Sequence, residues 1–276
     1  MNKLFYTFLS ILCFAMIGCD PIEDKMELGA AITADQLQIT ATNVLVDGKK
    51  SNKVVLNNTS PVLSSWDYGV GVTQRKTDTV LLVTTGENEI IFTGLNADGS
   101  KISKSLQVSV DELSFPVPPE WAFLTDGGEK NWVWDNTKPA VWGNGGYLGS
   151  FAPAWWTLQE SAIDGQAPGE GIGAKMVFSL RGAKLTKVKA NGESITGTYT
   201  FDMTKKLTME DGTVWAKGKL TTKNVTVLCG ISPNEGNAAV YEYDILILDG
   251  NEMMLAYPEP GAVAWGTAWF WAFRAE

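Results

Sequence analysis

Apolar and polar positions alternate with a period of two through most of this chain, and that alternation marks β-strands rather than helices. The clearest case is Lys101 to Val110, where Ile102, Leu106, Val108 and Val110 fall on one face and Ser103, Ser105, Gln107 and Ser109 on the other. Val80 to Thr85 and Glu89 to Thr93 are shorter runs of the same kind, and Asn96-Ala-Asp-Gly reads as a hairpin turn. Further on, strands are expected at Ala174 to Leu180, Ser194 to Phe201, Thr213 to Thr221, Asn224 to Cys229, Ala239 to Leu248, Glu252 to Tyr257 and Trp265 to Phe273. Asn191-Gly, Asp211-Gly and Asp249-Gly punctuate them, and no sustained 3.6-residue period interrupts the series.

Two all-β modules follow from this spacing. Residues 26–112 carry short strands with frequent turns, the pattern of an immunoglobulin-like sandwich used as a spacer. Residues 113–120 hold three prolines in four positions and form a stiff linker, expected to hold its neighbours apart. Residues 121–276 accommodate eight or more strands, which fits a jelly-roll-like β-sandwich, with a lipocalin-like β-barrel as the alternative.

Composition narrows the chemistry. A formal net charge of −9 with no basic cluster disfavours nucleic acid and acidic polymers as partners. Histidine is absent, which removes Ser-His-Asp and Cys-His catalysis and the commonest zinc ligand. A glycosidase would need a facing carboxylate pair, and among Asp126, Glu129, Asp135, Glu160, Asp164 and Glu170 no pair stands out. The expectation is a protein without catalytic residues. No cofactor is expected, and calcium has no ligand spacing to license a site. Cys229 alternates with Val225 and Val227 and reads as core.

The N-terminus reads as a secretory signal over residues 1–18. Lys3 precedes a 14-residue apolar run, Leu4 to Ile17, which is shorter than the roughly 20 residues a spanning helix needs. Met16-Ile-Gly-Cys19 resembles the bacterial lipoprotein signal, which implies cleavage before Cys19, lipidation of Cys19 and a membrane anchor with a tether over 19–25. Asp20, Glu23 and Asp24 resemble the acidic tag that sends Bacteroidetes lipoproteins to the outer face of the outer membrane. Trp66-Asp-Tyr-Gly resembles the Trp-Asp-Phe-Gly-Asp motif of polycystic-kidney-disease (PKD) domains, with Tyr68 for Phe and Val70 for the second Asp; Trp66 is then the buried sandwich tryptophan.

Ten of eleven tryptophans lie beyond residue 120, six of them between Trp121 and Trp156. Indoles complement the C–H faces of pyranose rings, so this density points to sugar. Trp132 and Trp134 share one strand face, whereas Trp155 and Trp156, if extended, point to opposite sides. Between them, residues 135–153 have no strand pattern and read as a functional loop. Its Gly-Asn-Gly-Gly run lacks the context of a phosphate loop. Trp269, Trp271 and Phe273 are expected in the core, with Trp265 reaching a binding surface. The candidate ligand-binding set is Trp134, Asp135, Trp142, Asn144, Tyr147, Trp155, Trp156, Glu259 and Trp265, with Glu160 a further hydroxyl partner.

Anchor, acidic tag, spacer, linker and Trp-rich distal domain together resemble the surface glycan-binding lipoproteins of Bacteroidetes polysaccharide-utilisation systems. That resemblance implies capture of a neutral polysaccharide or oligosaccharide beside a TonB-dependent transporter, without cleavage. The residues themselves also admit an adhesive lipoprotein that binds a protein partner, or a small-ligand carrier using a barrel interior.

Overall fold

The computed structural model describes residues 30–276; the signal, Cys19, the tether and the first residues of the spacer module lie outside them. With 49% strand and 9% helix the molecule is all-β. No helix among the described residues is long and apolar enough to cross a membrane.

Seven strands build the first module: β1 (Ile39–Val46), β2 (Lys49–Asn58), β3 (Leu63–Asp67), β4 (Val72–Thr73), β5 (Thr77–Leu81), β6 (Gly86–Leu95) and β7 (Lys101–Val110). They form a three-stranded sheet, β1-β2-β5, and a four-stranded sheet, β4-β3-β6-β7, around one core. Trp66 sits at its centre as expected, fully buried, edge-on to Phe92 at 4.6 Å and donating its indole N–H to the Arg75 carbonyl at 3.2 Å. The linker is not free of this module. The buried Asn52 carboxamide accepts the Phe115 N–H at 2.9 Å and donates to the Phe115 carbonyl at 3.0 Å, while the Lys53 ammonium lies over the Phe115 ring. Nor do the two modules stand apart, because Gly182 N–H donates to the Gly69 carbonyl and Arg181 pairs with Glu89.

The second module contains β8 (Glu129–Trp134), β9 (Trp142–Gly146), β10 (Thr157–Leu158), β11 (Lys175–Ser179), β12 (Lys184–Val188), β13 (Ser194–Asp202), β14 (Leu207–Thr208), β15 (Val214–Ala216), β16 (Gly218–Lys223), β17 (Ile231–Ser232), β18 (Ala238–Ala239), β19 (Glu242–Leu248), β20 (Glu252–Pro258) and β21 (Thr267–Ala275). Eight of them close in the order β8-β11-β12-β13-β16-β19-β20-β21, and β21 pairs back onto β8. Every neighbour is antiparallel and, apart from short insertions, consecutive along the chain. Closure of this kind is the up-and-down barrel, the lipocalin-like alternative, rather than the crossed connections of a jelly roll.

Side chains fill the barrel. Trp132, Trp134, Phe178, Tyr243, Trp271 and Phe273 are fully buried in one cluster, so the interior is a packed core and not an open cup. The last strand is apolar on both sides for the expected reason. Trp269, Trp271 and Phe273 face inward, while Ala268, Phe270 and Ala272 face a smaller outer core covered by Trp215 of β15.

Residues 224–229, expected as a strand, instead run irregularly into the barrel end. Val225, Val227, Leu228 and Cys229 are all buried there, so no alternation survives. A buried ion pair holds this plug. Lys187 Nζ lies 2.7 Å from Glu170 Oε1, Glu170 Oε2 accepts the Cys229 N–H at 2.6 Å, and Lys187 donates to Thr226 Oγ1 at 2.9 Å. Cys229 is core as expected, its thiol pushed well up by burial and then by the Glu170 charge.

Candidate functional site

One glycine-rich strand organises the exposed aromatics. Within the long segment expected to be a loop lies β9, which pairs with the first half of β21 where β8 pairs with the second. Its positions 142, 144 and 146 share a face. At the first of these, Trp142 is fully buried, stacked on Trp269 at 5.1 Å. Trp156 packs edge-on against both, at 5.6 and 6.0 Å between centroids, and stays 41% exposed.

At the far end of the same face there is no side chain at all. A Cβ on Gly146 would lie 2.6 Å from Cε3 of Trp265 and 3.4 Å from Cζ2 of Trp155, and one on Gly149 would lie 2.7 Å from Cδ2 and Cε2 of Trp265. The Trp265 indole therefore rests on bare backbone with Trp155 beside it. Trp265 is 63% exposed and Trp155 is 53% exposed. Trp265 also holds a left-handed φ of 64°, an uncommon conformation for a bulky residue, fixed by its N–H donating to the Tyr147 carbonyl at 2.7 Å.

Asn144 sets the geometry between the two ends. Its carbonyl accepts the N–H groups of both Ala154 and Trp155, at 2.9 and 3.0 Å, so two residues oppose one in the manner of a bulge. Its side-chain Oδ1 accepts the Trp156 N–H at 3.0 Å, and its own N–H donates to the Trp156 carbonyl at 2.9 Å. Strict alternation is broken here. Trp155 and Trp156 precede β10 and are not extended, so the opposite orientation expected of an extended pair does not apply, and both contact the face of β9 that carries residues 142 and 146.

Directly across the ladder from Asn144 is Trp269, whose indole N–H donates to Glu259 Oε1 at 3.2 Å. The half-buried Glu259 also accepts from Asn234 Nδ2 at 2.6 Å. Nearby, Tyr257 donates to Glu235 Oε2 at 2.9 Å, and burial followed by that hydrogen bond pushes its phenol up to about 12.

Other members of the sequence-based set lie elsewhere. Trp134 is inside the barrel against Phe273 at 4.7 Å, its N–H donated to the Glu170 carbonyl, and Trp142 is interior as well, so neither offers a face to a ligand. Asp135 is buried and caps its own turn, accepting the Thr137 N–H at 3.2 Å and hydroxyl at 2.5 Å. Tyr147 is half-buried on the outer side, edge-on to Trp215 at 5.1 Å, its phenol raised by burial and by the charge of Asp244. Trp155, Trp156, Trp265, Asn144 and Glu259 are the members that the fold brings to one place.

The candidate acids have separate partners. Glu129 accepts from the Ser179 hydroxyl, Glu160 from Asn136, Asp164 from the Gly171 N–H, and Glu170 is tied to Lys187. Among the described residues no group of three or more His, Cys, Asp or Glu side chains could hold a metal. Sequence reasoning missed the glycine bed of Trp265. The signal was present in the spacing of Gly146 and Gly149, small residues where a flat ring could lie. No protein-family model matches this chain, and no curated protein is significantly similar to it.

Proposed function

We propose that this protein captures neutral polysaccharide non-covalently, stacking sugar rings on Trp155, Trp156 and Trp265. The carrying observation is that these three indoles are gathered on one strand face and left open, with Trp265 bedded on Gly146 and Gly149. Leaving such a ring half uncovered forgoes on the order of 2 kcal/mol of burial. A left-handed backbone at Trp265 adds a cost of order 1–3 kcal/mol, and strain of that kind concentrates at functional sites. An indole that served only the core would not need either.

Several features support this reading over its rivals. The filled barrel interior leaves a small-ligand carrier without a cup. Hydroxyl partners are at hand in Asn144 and Glu259. The net charge of −9 opposes uronate-rich polymers. In this proposal Cys19 carries the lipid anchor, the acidic segment behind it directs the protein to the cell exterior, and a TonB-dependent transporter takes up what is captured.

Affinity electrophoresis through gels containing neutral polysaccharides tests the proposal. Retardation by at least one polymer, lost in Trp265→Ala with the fold retained, is the expected result. An unretarded, folded wild-type protein would contradict it and favour a protein partner on the same aromatic surface. Trp142→Ala is the contrasting control. It removes a fully buried indole and is expected to destabilise the fold by about 3–5 kcal/mol in chemical denaturation.

A further inference from the structure

We infer that the molecule is a latched hinge: its two modules swing about a short proline pivot, and one turn of the barrel hooks onto one turn of the sandwich to hold them closed. The inference stands apart from the glycan reading above and uses none of its residues.

The pivot is pinned at both ends. On the sandwich side the buried Asn52 carboxamide holds the N–H and the carbonyl of Phe115. On the barrel side Trp121, in the short helix Glu120–Thr125, packs on Phe201 at 4.7 Å and on Tyr199 at 5.8 Å. Only Pro116 to Glu120 lie between these anchors, and each of the three prolines there has one backbone dihedral fixed by its ring. A segment so short and stiff leaves few directions of swing. One contact away from the pivot is then enough to close the hinge.

The turn between β11 and β12 makes that contact. Gly182, at a left-handed φ of 74°, donates its N–H to the Gly69 carbonyl, and its neighbour Arg181 pairs with Glu89 of β6. Gly69 belongs to the Trp66-Asp-Tyr-Gly turn, which Asp67 stiffens by accepting the Gly69 N–H at 2.9 Å. Among the described residues these are the only hydrogen bonds that cross between 30–112 and 121–276, and no strand of one module pairs with a strand of the other.

Beside the latch the interface is hollow. Cavities of about 250 and 190 Å³ adjoin there, sharing Val83, Thr84, Gly127 and Leu180 in their walls. Protein interiors leave few voids larger than a water molecule, so the modules meet at points and not along a packed surface. Such a contact opens readily. The Arg181 side chain is 55% exposed and that of Glu89 32%, and a pair this open to water shifts an equilibrium by up to about fivefold. Closed and open forms are therefore both within reach, and the latch sets the direction in which the barrel is presented relative to the sandwich.

Small-angle X-ray scattering of the purified protein tests this. The wild type is expected to be compact at about 0.1 M salt and to gain radius of gyration towards about 1 M, as the screening length falls from about 10 Å to about 3 Å. Arg181→Ala, which removes a half-exposed side chain outside both cores, is expected to be expanded already at low salt with an unchanged near-UV circular dichroism spectrum. The charge swap Arg181→Glu with Glu89→Arg is expected to restore the compact form at low salt, whereas Arg181→Glu alone leaves two carboxylates facing each other and stays expanded. An Arg181→Ala curve that superimposes on the wild type at both salt concentrations would overturn the inference. So would a charge-swapped protein as expanded as Arg181→Glu.

Discussion

At Asp244 the chain buries a carboxylate on the outer side of β19 whose two oxygens accept no hydrogen bond among the described residues. The nearest cation, Lys219 Nζ, is 3.6 Å from Oδ1, beyond hydrogen-bond reach. Burial therefore dominates and raises the carboxyl above its ordinary 3.8, with Lys219 opposing and Glu242 adding to the shift. The folded state then holds a proton that the unfolded state releases. At a pH below 3.8 both states are protonated and there is no penalty; as pH rises through the folded value the penalty appears, and it is complete above it. Asp244→Asn is expected to raise the melting temperature at pH 7 and to change it little at pH 3, as read by thermal denaturation at the two pH values. Asp249 has the opposite sign, since the N–H groups of Asn251 and Glu252 hold its carboxyl below 3.8 and its contribution is lost as pH falls. At the glycine bed a single methyl group is decisive. Gly149→Ala puts a Cβ into the Trp265 ring and is expected to displace the indole, lowering polysaccharide retardation in a protein that still folds.

Among the elements, those with regular alternation were legible in the sequence and those shaped by tertiary contact were not. The strand read over Lys101 to Val110 is β7 to the residue, because one face is buried and the other solvated. Trp269, Trp271 and Phe273 read as core because their strand is apolar on both sides, Trp66 reads as core through the PKD-like motif around it, and all four are buried. By contrast the stretch that forms β9 reads as loop, since Trp-Gly-Asn-Gly-Gly has almost no side chains from which a period could be seen. Its glycines serve close approach instead: a side chain on Gly143 would run into the Trp156 carbonyl. The 224–229 segment failed for the reverse reason, being apolar enough for a strand yet drawn inward by Glu170 and Lys187, residues far away in sequence. The site was half legible. Trp265 stands out in the sequence by its Pro-Gly-rich approach, whereas the bulge at Asn144 that brings Trp155 and Trp156 to one face depends on pairing that no local pattern reveals. Breaking the plug by Lys187→Ala leaves Glu170 buried without its cation, and a loss of about 3–5 kcal/mol is expected in urea denaturation. Lys187→Ala together with Glu170→Ala should cost less than the sum of the two single changes.

Across the whole molecule, the closed barrel explains why so aromatic a chain can leave three indoles outside. Pairing of β21 back onto β8 closes eight strands around a core of tryptophan, tyrosine and phenylalanine, while Trp155, Trp156 and Trp265 each keep two-fifths or more of their surface outside it. The sandwich module contributes through the Asn52 clamp on Phe115, which ties down the chain between the modules. Since most of the other indoles are buried, collisional quenching of tryptophan fluorescence by acrylamide reports chiefly on the exposed three. Quenching measured with and without a retarding neutral polysaccharide is the most direct examination of the aromatic strip. The strip predicts that saturating polysaccharide removes most of the accessible fraction, and that Trp265→Ala lowers that fraction before any polysaccharide is added. Polysaccharide bound with the accessible fraction unchanged would contradict it.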